Sequence, residues 1–414
     1  MKIAILTIGN ELTSGKTQDT NSSFIARAME TQGWSVSAMM SVGDDEAAIR
    51  EALEYLLARS SAVVVTGGLG PTADDITTAA IAKAFGLGLV MDEKCLAYLR
   101  ERFERLRIPW TENNAKQAVF PEGAETIFNP TGSAWGFAVA KDGKIVAVIP
   151  GVPVESRRML PEGVIPLLRR EFPDAAQHIE TRVIKLFGIS ESSIDQTLKD
   201  VDFAGLGVDI GFYPNFPENR VELTVRTSEP ASAADRLEKA QSEVTRRLKK
   251  NIFGYGSDTL EVIVARLLTE KKRTLAVAES CTGGLICDRL TDVPGSSAFL
   301  NRGLVVYSNQ AKTELLGVPE GVLERFGAVS EETARLMAEG VRSRSGVDLG
   351  LAVTGIAGPS GGSDEKPVGT VFVALADGRR TLCEKCSSRW DRRRTKVFSS
   401  QQALRMLQVY LMEG

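Results

Sequence analysis

The sequence predicts an α/β protein in which two three-layer α/β domains are joined by a small α+β domain. Strand and helix patterns alternate through the first part of the chain and again through its last part, and this alternation is typical of parallel sheets covered by helices. Between these parts the order changes to βαββα. A composition of 43% hydrophobic and 25% charged residues is typical of a folded protein. We predict domains at residues 1–168, 169–255 and 256–414.

The first domain opens with an apolar run over Lys2–Thr7 and continues with a second predicted strand over Trp34–Val42. The third strand, Ala62–Thr66, is an uninterrupted apolar and β-branched run, which indicates burial on both faces of the sheet. We expect Asn21 and Asp45 to cap the helices that follow the first two strands.

The middle domain has predicted strands at Glu180–Phe187, Val208–Tyr213 and Val221–Arg226. Its predicted helices are Glu191–Leu198 and the long, charged Ala231–Lys250. The segment lacks the GxxG loop with which KH domains clamp a nucleic-acid backbone. We therefore expect no nucleic acid to bind here, and a spacing or dimerising role for this domain.

The third domain again alternates strands with helices. Its predicted strands are Thr274–Ala278, Gly303–Tyr307, Leu349–Thr354 and Thr370–Leu375. Its predicted helices are Leu260–Leu268, Gly283–Leu290, Glu331–Val341 and Thr395–Met412.

Composition excludes several kinds of function. Fifty Lys and Arg against 53 Asp and Glu leave a net charge of -3, without the basic excess of a dedicated nucleic-acid binder. His178 is the only histidine, so Ser-His-Asp and Cys-His catalysis are excluded wherever this residue is not in the site, and any hydrolysis elsewhere in the chain must use Lys, Tyr, Asp or Glu. Five scattered cysteines form no disulfide framework, and no apolar run is long enough for a membrane span. We expect a reduced, cytoplasmic protein.

A glycine-rich turn follows the third strand of the first domain. Its predicted ligand-binding residues are Gly67, Gly68, Gly70 and Thr72. Glycines at the carboxyl end of a strand let the backbone approach a ligand, and the next helix N-terminus can hold an anion. Asp75 lies in the same turn, and Glu11 and Asp44 follow the first and second strands. Carboxylates beside such glycines suggest a divalent metal bridging to phosphates, although each carboxylate alone could be a helix cap.

A serine stands between a strand and a helix in the third domain. Ser280 would be exposed at the edge of the sheet, and the amides of Cys281, Thr282 and Gly283 could form an oxyanion hole. The alternative is an ordinary helix-capping serine. Cys281 is a rival nucleophile on chemistry alone, although no histidine is available to pair with its thiol.

A lysine near the same sheet edge could serve as the base for this serine. Lys312 follows the strand that ends in Tyr307, and burial could keep its amine neutral. The alternative is a lysine on a solvated helix face. Thr354 offers a hydroxyl at a third strand end, and the turn after it offers backbone amides close to a ligand: Gly355, Ile356, Ala357 and Gly358.

The first domain carries four separated motifs in order. They are IGNELTSGKTQDTN (8–21), GGLGPTADD (67–75), NNAKQAVFP (113–121) and PGVPVE (150–155). They resemble the molybdopterin-binding (MogA/MoaB-like) fold and, more narrowly, the N-terminal domain of the CinA competence/damage-inducible family. The resemblance to this family implies a KH-like middle domain. The resemblance implies an ADP-ribose pyrophosphatase that uses Mg, Mn or Co, with Asp44, Asp75, Glu11 and Glu155 as metal ligands.

The third domain carries a second set of motifs, among them AESCTGG (278–284), YSNQAK (307–312) and VTGIAGPSGG (353–362). They resemble the C-terminal nicotinamide mononucleotide (NMN) deamidase domain of the same family. The resemblance implies Ser280 as nucleophile, Lys312 as base, Tyr307 and Thr354 as supporting residues, and Arg394 as a cationic residue for the phosphate. No metal is expected for this step.

Two hypotheses about function follow. The first is an enzyme of pyridine nucleotide recycling that converts NMN to nicotinic acid mononucleotide and ammonia, works as a homodimer, and also hydrolyses ADP-ribose. The second is a protein that binds a nucleotide or a molybdopterin-like ligand without turnover and serves a competence or DNA-damage response through partners.

Overall fold

A computed structural model of the chain describes residues 1–173 and 178–413. Residues 174–177, within the predicted middle domain, and residue 414 lie outside the described residues. The chain divides into two compact units, residues 1–180 with 225–235, and residues 181–224 with 236–414.

The first unit contains a six-stranded mixed sheet and a separate pair of short strands. The strands are β1 (Lys2–Ile8), β2 (Ser35–Val42), β3 (Ala62–Thr66), β4 (Leu89–Met91), β5 (Val119–Pro121), β6 (Glu125–Ile127), β7 (Gly136–Lys141) and β8 (Lys144–Ile149). The main sheet has the order β2-β1-β3-β8-β7-β6. Its first four strands run parallel, and β7 and β6 are antiparallel additions at one edge.

Helices cover this sheet on both faces. They are α1 (Asn10–Thr13), α2 (Asn21–Thr31), α3 (Glu46–Leu57), α4 (Thr77–Phe85), α5 (Glu93–Arg105), α6 (Pro153–Met159) and α7 (Ile165–Glu171). Successive residues of a strand point to opposite faces, so Val63 joins one apolar cluster and Val64 the other. All five residues of β3 are buried, which confirms the predicted two-sided burial.

One predicted helix cap is confirmed and the other is wrong. The Asp45 carboxylate accepts a hydrogen bond from the Ala48 amide at 2.9 Å, as expected of a cap. Asn21 instead begins α2 and donates its side-chain amide to the Gly151 carbonyl oxygen at 2.7 Å. The capping oxygen for α2 comes from Asp19, which accepts from the Ser22 amide at 3.0 Å.

The middle part of the chain forms a four-stranded sheet with the order β10-β11-β9-β12. Its strands are β9 (His178–Leu186), β10 (Asp209–Asn215), β11 (Glu218–Thr227) and β12 (Ile252–Tyr255), and its helices are α8 (Glu191–Leu198) and α9 (Pro230–Leu248). Strands β10 and β11 form an antiparallel hairpin in which Asn215 pairs with Glu218, which leaves Phe216 and Pro217 at the tip.

The last part of the chain forms a five-stranded sheet with the order β14-β13-β15-β16-β17. Its strands are β13 (Leu275–Glu279), β14 (Leu300–Val305), β15 (Leu349–Gly355), β16 (Thr370–Ala376) and β17 (Thr381–Ser387). Its helices are α10 (Leu260–Glu270), α11 (Leu285–Thr291), α12 (Asn309–Leu316), α13 (Glu320–Phe326), α14 (Glu331–Ser345) and α15 (Arg392–Glu413).

The parallel strands β14, β13 and β15 bring the ends that carry the predicted catalytic motifs to one edge of this sheet. Apolar side chains of β13 alternate between two clusters, with Val277 in one and Ala276 and Ala278 in the other. Helices therefore cover both faces, and the α/β fold class is confirmed. None of the helices in the described residues is both long and apolar enough to cross a membrane.

Candidate active site

Ser280 and Lys312 lie side by side, as predicted. Ser280 follows β13 directly, and Lys312 lies on α12, which follows the neighbouring strand β14. The Lys312 Nζ lies 3.2 Å from the Ser280 Oγ. The serine is 7% exposed and the lysine 1% exposed, so the pair is almost fully removed from water, and the prediction that Ser280 is exposed is wrong.

The surroundings of Lys312 favour a neutral amine. Besides Ser280, its Nζ contacts two carbonyl oxygens, those of Val306 at 2.8 Å and Tyr307 at 3.2 Å. A neutral amine satisfies these contacts when its two N–H groups donate to the carbonyl oxygens and its lone pair accepts from the serine hydroxyl, whereas an ammonium would donate in all three, so it is burial that decides between them. No carboxylate in the described part of the chain pairs with this amine, and burial lowers the pKa of Lys312. The alternative of a solvated surface lysine is wrong.

Glu279 holds the turn that carries the serine, a role that the sequence analysis did not identify. Its carboxylate is fully buried and accepts from the amides of Gly284 at 2.9 Å, Ile286 at 3.1 Å and Cys287 at 2.9 Å. These amides belong to the start of α11, whose positive end the carboxylate stabilises. The signal in the sequence was an acidic residue directly before a serine and a short glycine-rich turn.

Two of the three predicted oxyanion amides remain available. The Gly283 N–H donates to the Ser280 carbonyl oxygen at 3.2 Å within the turn. Among the described residues, the amides of Cys281 and Thr282 donate to no other residue, and the Cys281 N–H interacts only with its own thiol. The Thr282 hydroxyl is also buried without a partner. A developing oxyanion can therefore draw on Cys281 and Thr282, and the Gly283 amide serves the turn itself.

The Cys281 side chain is a poor competitor for the serine. It is 5% exposed, and burial raises the pKa of its thiol to about 12. Because the thiolate is the reactive form of cysteine, this side chain remains an inert thiol at neutral pH.

Arg392, which the sequence analysis did not single out, contacts two predicted site residues. Its guanidinium donates to the Gly358 carbonyl oxygen at 2.8 Å and to the Tyr307 hydroxyl at 2.9 Å. The predicted Arg394 has other contacts, with its guanidinium carbon 5.5 Å from the centre of the Phe216 ring. Arg394 is also 3.8 Å from the Asp391 carboxylate and largely exposed. The sequence places several arginines together at the start of one helix and does not show which of them contacts the site.

The turn after β15 is closed by its own hydrogen bonds. The Thr354 hydroxyl is buried and donates to the Ala328 carbonyl oxygen at 2.7 Å. Ile356 donates its amide to Thr370 at 2.9 Å, and Gly355 pairs with Val371 in the sheet. Ala357 is buried within an apolar cluster. Thr354 therefore supports the wall of the site through the backbone.

The glycine-rich turn of the first unit lines a separate pocket of about 530 Å³. This pocket also contains all four carboxylates predicted as metal ligands, Glu11, Asp44, Asp75 and Glu155, together with Gly67, Gly68 and Gly70. Thr72 lies beside it, with its amide 2.8 Å and its hydroxyl 2.5 Å from the Asp75 carboxylate.

Two of these glycines lie so close to neighbouring atoms that no side chain would fit at their positions. Gly67 has φ 107°, and a Cβ there would lie 2.1 Å from the Ile8 carbonyl oxygen. Gly68 has φ 66°, and a Cβ there would lie 2.0 Å from the Thr77 hydroxyl, which itself donates to the Gly67 carbonyl oxygen at 2.9 Å. The turn can therefore adopt this conformation only because these residues lack side chains.

Three of the four predicted carboxylates of the pocket accept a hydrogen bond from a protein donor. Asp44 accepts from the Asn10 amide at 2.9 Å, and Asp75 from Thr72. Glu155 accepts from the Asn129 side chain at 2.7 Å, and burial raises the pKa of Glu155. No group of three or more His, Cys, Asp or Glu side chains in residues 1–173 and 178–413 is arranged to hold a metal ion. The oxygen donors suit a hard divalent cation, but a bound phosphate would have to complete its ligands.

Three family descriptions match the sequence. Residues 4–170 match the probable molybdopterin binding domain, residues 181–254 the damage-inducible protein CinA KH domain, and residues 257–411 the CinA C-terminal domain. The predicted KH-like middle domain is thereby confirmed, although its sequence lacks the GxxG loop.

Relatives match along the whole chain. A CinA-like protein of Syntrophus aciditrophicus is 60% identical over 415 residues, covering 100% of this chain and 99% of that protein. A CinA-like protein of Geotalea uraniireducens is 43% identical over 417 residues, covering 100% and 98%. A crystal structure of a competence/damage inducible protein from Agrobacterium tumefaciens is 42% identical, covers 37% of this chain and 95% of that one, and has a TM-score of 0.36. The chain belongs to the CinA family of competence/damage-inducible proteins.

Proposed function

We propose that the C-terminal part of this protein hydrolyses the carboxamide of NMN to nicotinic acid mononucleotide and ammonia. The observation that carries the proposal is the buried contact of 3.2 Å between Lys312 Nζ and Ser280 Oγ, with no carboxylate beside the lysine in the described residues. A serine needs a base to become a nucleophile, and a desolvated amine is the base that this histidine-free site supplies.

The first half of the reaction transfers an acyl group to the serine. Ser280 Oγ attacks the carboxamide carbon as its proton passes to the lone pair of Lys312 Nζ. The amides of Cys281 and Thr282 donate to the oxyanion, at a gain of about 3–4 kcal/mol for each well-placed donor. The Lys312 ammonium then returns the proton to the departing nitrogen, the C–N bond breaks, and ammonia leaves an ester on Ser280.

The second half repeats these steps with water. Neutral Lys312 takes a proton from a water molecule that attacks the ester carbon, and the same amides hold the oxyanion. The proton returns to Ser280 Oγ as the C–O bond breaks. Nicotinic acid mononucleotide leaves, and the carboxylic acid loses its proton to solvent.

Cationic side chains at the start of α15 would hold the phosphate of the substrate. Arg392 already contacts the Tyr307 hydroxyl at the site. Lys396 reaches the serine turn, because its Nζ lies 3.4 Å from the position that a Cβ on Gly283 would occupy. Arg392 and Lys396 therefore join the predicted Arg394 as candidates for the phosphate.

The test is ammonia release from NMN, with chelator present, by the full chain and by Ser280→Ala, Lys312→Met and the exposed-site control Lys94→Met. We expect activity in the wild type and in the control, and none in the two site variants. An inactive wild type would favour a protein that binds its ligand without turnover. Activity that survives Ser280→Ala would refute the serine mechanism.

We also propose that the first unit hydrolyses the diphosphate bond of ADP-ribose with a divalent metal. The pocket that contains Glu11, Asp44, Asp75 and Glu155 beside the glycine turn supports this proposal. Mg²⁺ is usually bound by one or two carboxylates together with substrate phosphates, which agrees with a pocket whose carboxylates do not converge. When bound, the metal would neutralise the charge of the diphosphate.

This activity is tested by incubating the protein with ADP-ribose and Mg²⁺, Mn²⁺ or Co²⁺ and measuring AMP. We expect Asp75→Asn to lose AMP formation and Glu93→Gln, a charge removal on the exposed start of α5, to retain it. An Asp75→Asn variant with full activity would remove this carboxylate from the site.

A further inference from the structure

The tip of the β10–β11 hairpin packs on the start of α15 within one compact unit of the chain. The Phe216 ring meets the Trp390 ring edge to face, with centroids 4.8 Å apart. Trp390 in turn packs on Phe398 at 4.8 Å, and Phe398 on Phe187 at 5.2 Å. Four rings thus form a continuous chain that starts and ends in the middle domain and crosses α15.

Polar contacts hold the same hairpin to the same helix. Glu218, next to the tip, accepts from the Gln401 side chain of α15 at 2.8 Å. Gln401 also accepts from Arg289 of α11 at 2.7 Å. The Arg394 guanidinium lies over the Phe216 ring. The hairpin tip is therefore fixed to α15 by a ring contact, a cation–π contact and a hydrogen bond.

Trp390 immediately precedes the residues that begin α15 and reach the amidase site. Asp391 caps the helix by accepting from the Arg394 amide at 2.9 Å. The next residue, Arg392, donates to the Tyr307 hydroxyl, and the Tyr307 carbonyl oxygen accepts from Lys312 Nζ. A displacement of Trp390 would therefore move Arg392 with it.

We propose that the hairpin tip is a positioning element of the amidase site, in which Phe216 holds Trp390 and thereby sets the place of Arg392. This proposal rests on the proposed NMN hydrolysis. Phe216 touches neither Ser280 nor Lys312 in the contacts described, so its influence falls on substrate binding through Arg392. The middle domain then contributes to the specificity of the deamidase rather than only spacing the other two.

The kinetic test compares Phe216→Ala with Tyr213→Ala. Tyr213 is an exposed aromatic on the same hairpin, and its ring faces Arg220 of that hairpin. We expect Phe216→Ala to raise KM for NMN by a factor of about 3–10, the range of an aromatic pair, with kcat within about twofold. Tyr213→Ala should change neither constant.

A double-mutant cycle distinguishes positioning from a general loss of structure. If Phe216 acts through Arg392, then Phe216→Ala should add little to the KM of Arg392→Ala. Effects that multiply, or an unchanged KM in Phe216→Ala, would overturn the proposal. If Phe216→Ala folds poorly, Phe216→Leu keeps an apolar contact without the ring and is expected to give a smaller rise in KM.

Hydrogen exchange of the ligand-free full chain tests the same link without substrate. Phe216→Ala should speed exchange of the segment 389–396 while Tyr213→Ala leaves it unchanged. If the wild type released no ammonia, the proposed function would fail, but this measurement would still decide whether the tip holds the helix start. Equal exchange in both variants would overturn the positioning role.

Discussion

Replacement of Glu279 tests whether its buried carboxylate holds the serine turn in place. Glu279→Gln keeps the size of the side chain and one acceptor oxygen, but it directs an NH₂ group towards backbone N–H groups. Glu279→Ala removes both acceptor oxygens. Asp288→Asn is the matched control, because it removes a carboxylate from the exposed side of the same helix, α11.

The expected loss in the free energy of unfolding follows from the hydrogen bonds that the carboxylate accepts from three amides, at 2.9, 3.1 and 2.9 Å. Hydrogen bonds to charged groups contribute roughly 1.5–3 kcal/mol each. Because water can fill part of the space left by alanine, we expect Glu279→Ala to lower the free energy of unfolding by about 4–6 kcal/mol. The glutamine variant retains one oxygen, so we expect about 2–3 kcal/mol. The loss expected for Glu279→Ala approaches the total free energy of unfolding of many domains.

The assay is hydrogen exchange of the amides of Gly284, Ile286 and Cys287, with urea unfolding measured alongside. A loss of 2–3 kcal/mol corresponds to exchange that is roughly 30- to 150-fold faster. The Asp288→Asn control should exchange like the wild type. Wild-type protection in Glu279→Gln, with wild-type ammonia release, would refute the view that this carboxylate orders the turn.

Three further predictions concern the base, the rival thiol and the glycine turn. The wild-type rate should rise with pH as Lys312 loses its proton. Because the pKa of Lys312 is lowered in the folded state, the unfolded chain binds more protons, so the free energy of unfolding should also rise with pH towards 10.5. Lys312→Met should lose both trends, as measured by pH–rate profiles and urea unfolding. Cys281→Ala should keep ammonia release within about threefold, since the amide remains and the thiol is not ionised; complete inactivity of a folded variant would make the thiol the nucleophile. Gly68→Ala should lower the free energy of unfolding by about 2–3 kcal/mol, and Gly86→Ala by about 1 kcal/mol. Both glycines have positive φ, but only a Cβ at Gly68 would meet the Thr77 hydroxyl. Equal losses in urea unfolding would show that the turn has room for a side chain.

The contact between Ser280 and Lys312 could be predicted because it depends on topology. Ser280 follows β13 and Lys312 follows β14, and consecutive parallel strands place their carboxyl ends at one edge of a sheet. Because the third domain contains no histidine, a lysine was the candidate for the base. The same reasoning predicted that Glu11, Asp44 and Asp75 would lie together, since each follows a strand of the first sheet. All three line one pocket.

Other features depend on distances that a sequence pattern does not contain. Asn21 and Asp19 are both good capping residues, and only the course of the chain shows that Asp19 meets the Ser22 amide. Arg392 and Arg394 are two residues apart on one helix, so they point in different directions, and the helix phase decides which one meets Tyr307. Glu279 resembles any acidic residue at the end of a strand until its three amide donors are seen.

The thiol beside the serine has a consequence for chemical labelling of whole proteomes. Reagents that select ionised cysteines should pass over Cys281, because burial holds the pKa of its thiol near 12. An electrophile aimed at activated hydroxyl groups would meet Ser280 one residue earlier. A survey based on reactive cysteines would therefore overlook this site, and a serine-directed probe in mildly alkaline buffer is the reagent that would test whether Ser280 is activated.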